Sequence, residues 1–215
     1  DWQTYSVVIE DLDLRTIHNG FMWTIDTAEN DPGEIVFYLD DIRYVDDLTS
    51  ESYNYKLPGI CFSPFTDGTD PTQGGTATFS MVEEHMALIA SHTQWVRTYG
   101  MDGGLAEAGS IAHEKGLKIA MGAWIERDAD ANARELATLV ERALAGEVDV
   151  AVVGNEVLHR RDMEVADLVE LIELFRSQVP NIPVTTAEVY SHWMEYPELV
   201  AACDYVLIQS YPFWD

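Results

Sequence analysis

Positive charge is scarce in this chain. Twelve Lys and Arg stand against 38 Asp and Glu in 215 residues, a formal net charge of -26. A surface of that sign repels phosphate backbones and excludes nucleic acid as a partner. It suits neutral or cationic ligands; most of the acids read as solvated, and the excess fits a saline habitat. Cysteine is nearly absent. Cys61 and Cys203 lie far apart, each in or beside an apolar strand-like run, and read as buried free thiols rather than a disulfide. They leave the compartment open. No apolar run approaches the ~18–20 residues that span a bilayer. No signal peptide is legible, and a start at Asp1 reads as a mature, trimmed or fragmentary product. His85 and His92 share one helix, but no H-x-x-x-H pair exists, so neither a metal nor another cofactor is expected. A P-loop, a G-x-S-x-G elbow and a G-x-G-x-x-G after the first strand are all missing, which disfavours nucleotide-binding and serine-hydrolase classes.

Two regimes are present. Residues 1–47 hold three β-rich runs, "YSVVIEDL", "GFMWTID" and "EIVFYLDDIRYV", with a turn signal at Asn30-Asp31-Pro32-Gly33 between the last two. They read as part of an antiparallel sheet, too few strands to close a sandwich. Residues 48–57 are polar and aperiodic, as a linker should be.

From residue 58 onward, strands and helices alternate. Predicted strands are "GICFSPF", "WVRTYG", "LKIAMGAWI", "VDVAVVGNE", "IPVTTAEVY" and "YVLIQSYPFW". Predicted helices lie near Ser80–His92, near Leu105–Lys115 with a stop at Gly116, and over "DADANARELATLVERALAG". The last is capped by Asp128 or Asp130, puts Leu136, Leu139, Val140, Ala143 and Leu144 on one face, and stops at Gly146. Val165, Leu168, Val169, Ile172 and Phe175 mark another, ended before Pro180. A short one is expected near Pro197–Ala202.

Regular β-α alternation implies a parallel sheet with right-handed crossovers. An open doubly wound sheet and a (β/α)8 TIM barrel compete. Polar and aromatic residues gather at the strand ends: Asp67, Tyr99, Trp124, Glu156, Glu188 and Tyr211. That is where barrels build their sites, from several strands at once. The reading is therefore α/β, a (β/α)8 barrel with its first six units present.

Gly154-Asn155-Glu156 closes the apolar run beginning at Val148. A carboxyl and an amide there are costly unless the strand end faces a cleft. In a cleft, Glu156 can donate a proton to a leaving oxygen, and Asn155 can bond a sugar hydroxyl near the reacting carbon. Alternatively, Glu156 caps a helix or pairs with Arg160 or Arg161. Arg97, a cation inside an apolar strand, points inward to a carboxylate or outward to a surface ion pair. Tyr190 and Trp193 are placed in the loop after the fifth strand.

"VVGNEVL", "WVRTYG", "LKIAMGAW", "IQSYPFW" and "GICFSPFTDG", in that family's order, resemble the catalytic domain of glycoside hydrolase family 17. That family includes β-1,3-glucanases and β-1,3-glucanosyltransferases. The resemblance covers about Leu57 to Asp215 and implies a (β/α)8 barrel, a retaining mechanism and Glu156 as acid/base, with Asn155 the amide beside it. It gives the nucleophile to a glutamate ending strand seven, expected beyond residue 215, so residues 1–215 alone are expected to be inactive. It also makes β-glucan the partner and the location secreted, cell-surface or periplasmic. Tyr99 and Tyr211 match family motifs and, with Trp124, are expected to stack on pyranose rings. Arg97 would orient the site. Glu188, ending strand five, would bind substrate or raise the pKa of Glu156 through like charge; it could equally be solvated or paired with an arginine. Residues 1–47 resemble the C-terminal part of a β-sandwich carbohydrate-binding module, though a spacer sandwich fits them too. The competing reading of the whole chain is a non-catalytic glucan-binding or structural surface protein. Oligomeric state is not legible.

Overall fold

A computed structural model describes residues 56–210 apart from Asp67. The expected β-sandwich segment, residues 1–47, lies outside the described residues.

Six strands form one sheet in the order β1-β2-β3-β4-β5-β6, with every neighbouring pair parallel. They are β1 (Leu57–Cys61), β2 (Thr93–Arg97), β3 (Lys118–Ala123), β4 (Val150–Asn155), β5 (Val184–Val189) and β6 (Leu207–Gln209). A doubly wound sheet reverses its strand order at a switch point. Here the order runs straight through, and right-handed crossovers then put every helix on one side. The result is a six-stranded parallel α/β half-barrel.

The helices are α1 (Phe79–Ile89), α2 (Ala108–Glu114), α3 (Ala129–Leu144), α4 (Val165–Gln178), α5 (Tyr190–Glu195) and α6 (Pro197–Ala202). Their ends follow from local chemistry. Thr78 caps α1 by accepting from Met81 N, and Asp128 caps α3 by accepting from Asp130 N and Ala131 N. Gly116 and Gly146, just past α2 and α3, take positive φ of 74° and 80°. The expected helix–loop pattern needs three corrections. His92 does not share α1 with His85 but lies past its end, in the turn before β2. Tyr190 and Trp193 lie on α5 rather than in a loop, because Trp193 packs into the core and its indole N–H donates to Leu207 O at 3.2 Å. Leu144 is exposed, not on the buried face of α3.

The helix-facing side of the sheet supplies Val96, Ile119, Met121, Ala151, Val153 and Val184 to the core, against Ile111, Leu139, Leu168, Ile172 and Phe175 from the helices. Each fully buried side chain of that size contributes about 1.5–3 kcal/mol. Asp149, an acid at the foot of β4, is satisfied there: it accepts from Ile119 N at 2.8 Å and meets His113 Nε2 at 2.9 Å. β1 and β6 are the edges of the described sheet, and Leu57, Tyr205, Val206 and Ile208 are exposed along them. Both cysteines are free, but neither is buried as expected: Cys61, which ends an edge strand, is exposed, and Cys203 is half-buried. No helix among the described residues is long and apolar enough to cross a membrane.

Candidate active site

Because all six strands are parallel, their C-terminal ends share one rim. Tyr99, Trp124, Asn155, Glu156 and Gln209 stand at or just past the ends of β2, β3, β4 and β6. Tyr211 and Asp67 lie outside the described residues.

The centre of the rim is the end of β4. Its pairing with β5 slips between Val152 and Asn155, a bulge that re-aims the residues beyond it. Gly154 sits at φ 88°, and a Cβ there would meet Val157 Cγ2 at 2.5 Å, so only glycine fits. Glu156 follows at φ 54°, a left-handed conformation rare outside glycine. Such a conformation persists only where its surroundings hold it. Glu156 N donates to Ala187 O at 2.7 Å, and Glu156 O accepts from Arg160 N at 2.8 Å.

Asn155 is oriented from two sides. Its Oδ1 accepts from Arg97 Nη2 at 2.7 Å and from Gln209 Nε2 at 2.6 Å. An amide oxygen with two lone pairs is then filled, and the two N–H groups on Nδ2 are turned away from those partners. Arg97 also lies over the Tyr99 ring, 4.6 Å from its centroid. Arg97 thus reaches across to the end of β4, where its hydrogen-bond acceptor is the Asn155 amide rather than the carboxylate that the inward reading expected.

Arg160 braces the other side of the turn. Its guanidinium donates to Asn155 O and Ile125 O, pairs with Asp162 at 2.8 Å, and lies 4.2 Å over the half-exposed Trp124 ring. One cation therefore fixes the β4 terminus and the face of Trp124 together.

Two buried carboxylates underlie the rim. Glu135 on α3 accepts from Met101 N, Asp102 N and Trp124 N, each at 2.8 Å, which ties the β2–α2 loop to the end of β3. Glu188 on β5 is fully buried, and its Oε1 accepts from Leu158 N at 2.8 Å. It therefore faces the β4–α4 turn rather than open solvent. Burial raises both carboxyls above their usual range, against N–H bonds that lower them. Burial, together with its contact to Cys61, also raises the Tyr99 phenol. The negative charge of Glu156 adds to the shifts of Tyr99 and Glu188, so its carboxyl lies within electrostatic reach of both strand ends.

Sequence reasoning missed Gln209, Arg160 as a brace, and Glu135. Gln209 stands within "IQSYPFW", one of the quoted motifs, so position at a strand end was the available signal. Glu135 carried none, since a glutamate inside an amphipathic helix reads as solvent-facing.

Residues 59–215 match the BtgE/BtgC glycoside hydrolase domain, and the chain belongs to that family. A probable glucan endo-1,3-beta-glucosidase, btgC of Aspergillus flavus, is 27% identical over 192 residues, covering 81% of this chain and 28% of that protein. The btgC homologue of Aspergillus terreus is 26% identical over 209 residues, covering 88% and 31%. The chain therefore spans about a third or less of the length of these relatives. Among solved structures, an active-site mutant of Rhizomucor miehei β-1,3-glucanosyltransferase in complex with laminaritriose superposes with a TM-score of 0.61 at 27% identity. That match covers 74% of this chain and 58% of that one. A second structure, titled as the glycoside hydrolase family 17 β-1,3-glucanosyltransferase of that organism, matches with the same TM-score at 26% identity over the same shares.

Proposed function

We propose that this chain carries the acid/base side of a retaining glycoside hydrolase or transglycosylase acting on β-1,3-glucan, in a secreted or cell-surface protein. The observation that carries this reading is the bulged β4 terminus. It sets Glu156 on a left-handed turn, beside an Asn155 amide whose oxygen is already filled by Arg97 and Gln209. The names of the relatives supply the substrate class: glucan endo-1,3-beta-glucosidases and a β-1,3-glucanosyltransferase.

In this reading, Glu156 gives its proton to the glycosidic oxygen as a second carboxylate attacks the anomeric carbon and the C–O bond breaks. A covalent glycosyl-enzyme results. Glu156, now ionised, takes a proton from water or from an acceptor sugar hydroxyl, which attacks the same carbon and releases the second carboxylate. Water gives hydrolysis; a sugar acceptor gives transfer. Asn155 Nδ2 would bond the hydroxyl next to the anomeric carbon, and Tyr99, Trp124 and Tyr211 would hold the pyranose faces. Glu188, buried against the β4–α4 turn, is not placed to attack that carbon. The nucleophile is assigned to a glutamate on a seventh strand beyond residue 215. The exposed Leu57, Tyr205, Val206 and Ile208 on the two sheet edges suit coverage by two further β/α units.

Laminarin hydrolysis by the full-length protein tests the assignment. Glu156→Gln should lower kcat by about 10²–10⁴. Undiminished turnover would defeat it.

A further inference from the structure

We infer that Glu188 is a positioning residue for Glu156, acting through the main chain of the β4–α4 turn rather than through substrate. The inference rests on the acid/base reading of Glu156 and adds a part to it.

Glu156 is held at φ 54°, a conformation that an unsupported glutamate leaves readily. Two consecutive residues of β5 pin the turn that contains it. Ala187 O accepts from Glu156 N at 2.7 Å, and Glu188 Oε1 accepts from Leu158 N at 2.8 Å. The first bond continues the ladder between β4 and β5; the second replaces the next ladder bond with a side chain, just where the strands part. Glu188 is fully buried, as are Val157 and Gly154, so the anchor works where water cannot substitute for it. The Glu188 side chain gives Leu158 N–H the acceptor that no main-chain carbonyl of β5 supplies there. The far side of the turn is closed by Arg160, which donates through its main-chain N to Glu156 O and through its guanidinium to Asn155 O. Glu156 is thus fixed from β5 on one side and from its own turn on the other. Loss of the Glu188 anchor frees Leu158 N–H and, with it, the angle at which the acid meets the glycosidic oxygen.

Leaving-group chemistry separates this role from the alternatives. A natural glucan needs a proton on its departing oxygen, whereas a dinitrophenolate leaves without one. Kinetics of the full-length protein on laminari-oligosaccharides and on a dinitrophenyl β-laminaribioside are therefore compared for two variants. Glu188→Met removes the acceptor at similar volume. Glu188→Gln keeps an amide oxygen for Leu158 N–H. Glu188→Met should lose about 10–100-fold in kcat on the oligosaccharides at unchanged KM, as small misplacements of a reacting group do. On the dinitrophenyl substrate, glycosyl-enzyme formation should be nearly unchanged. Glu188→Gln should recover most of the loss. If Glu188→Met does not fold, Glu188→Asp, which draws the acceptor back by one methylene, carries the same expectation. Equal losses on both substrates, a rise in KM alone, or no loss would overturn the inference. Glu156→Gln is the control for the underlying reading. Should it lack the leaving-group signature, the acid assignment fails; should it show the signature while Glu188→Met does not, only the positioning role fails.

Discussion

Gln209 Nε2 donates to Asn155 Oδ1 at 2.6 Å, joining the end of β6 to the end of β4 across the top of β5. With the bond from Arg97 Nη2 to the same oxygen, it decides which way the Asn155 amide faces. Gln209→Glu removes this donor and sets a second acceptor against Oδ1, so Arg97 alone holds the amide and the aim of Nδ2 at the substrate hydroxyl loosens. A lost hydrogen bond at this half-buried site is worth about 0.5–1.5 kcal/mol, so kcat/KM should fall about 2–10-fold with the melting temperature little changed. Steady-state kinetics and calorimetry check this. Wild-type kcat/KM in a folded variant would remove Gln209 from the site.

Glu135 gives a pH signature with a definite sign. Burial raises its carboxyl against the pull of the Trp124, Met101 and Asp102 N–H groups. A raised value means that the folded chain holds the proton more tightly than the unfolded chain does. Stabilisation from this group is then complete below the unfolded value and is lost as pH rises through the folded one. Urea titrations from about pH 4 to about pH 7 should show wild type losing stability relative to Glu135→Gln. The opposite trend would mean that the three N–H bonds outweigh burial.

Much of this architecture was legible from residue order alone, and the exceptions share a cause. Strand and helix alternation, the Asp128 cap and the stops at Gly116 and Gly146 depend on local chemistry, and local chemistry is written in sequence. The straight strand order agrees with the barrel reading. Asn155 and Glu156 stood out because polar groups at the end of an apolar run need a reason. By contrast, Glu135 and Glu188 are buried by partners 11 to 34 and 30 residues away, respectively, and those partners are main-chain N–H groups that every sequence offers. Arg160 looked like an ion-pair partner of Glu156 because both are charged and close in sequence. Its guanidinium also holds two carbonyls, Asp162 and a ring, roles that closeness in sequence does not suggest. The need for glycine at 154 shows only once the β4 bulge and Val157 are in place.

Surface charge gives a third expectation. With a net charge of -26, the folded chain works against its own repulsion. Raising NaCl from about 0.1 M to about 1 M shortens the screening length from about 10 Å to about 3 Å. The melting temperature should rise by several degrees. Chloride is the informative salt, because sulfate is excluded from protein surfaces and stabilises through that route as well. A flat or falling melting temperature would show that the acids are already neutralised within the fold.

The central claim is that Glu156 transfers the proton and that another group forms the covalent bond. Azide trapping tests it most directly. The full-length Glu156→Ala variant is given a dinitrophenyl β-laminaribioside, which forms the glycosyl-enzyme without acid help. Azide, which needs no general base, then attacks the anomeric carbon and expels the enzyme carboxylate. NMR of the product reads its anomeric configuration. Two inversions should give a β-glycosyl azide and faster turnover. An α-glycosyl azide would make Glu156 the nucleophile, and no acceleration by azide would leave it without either role.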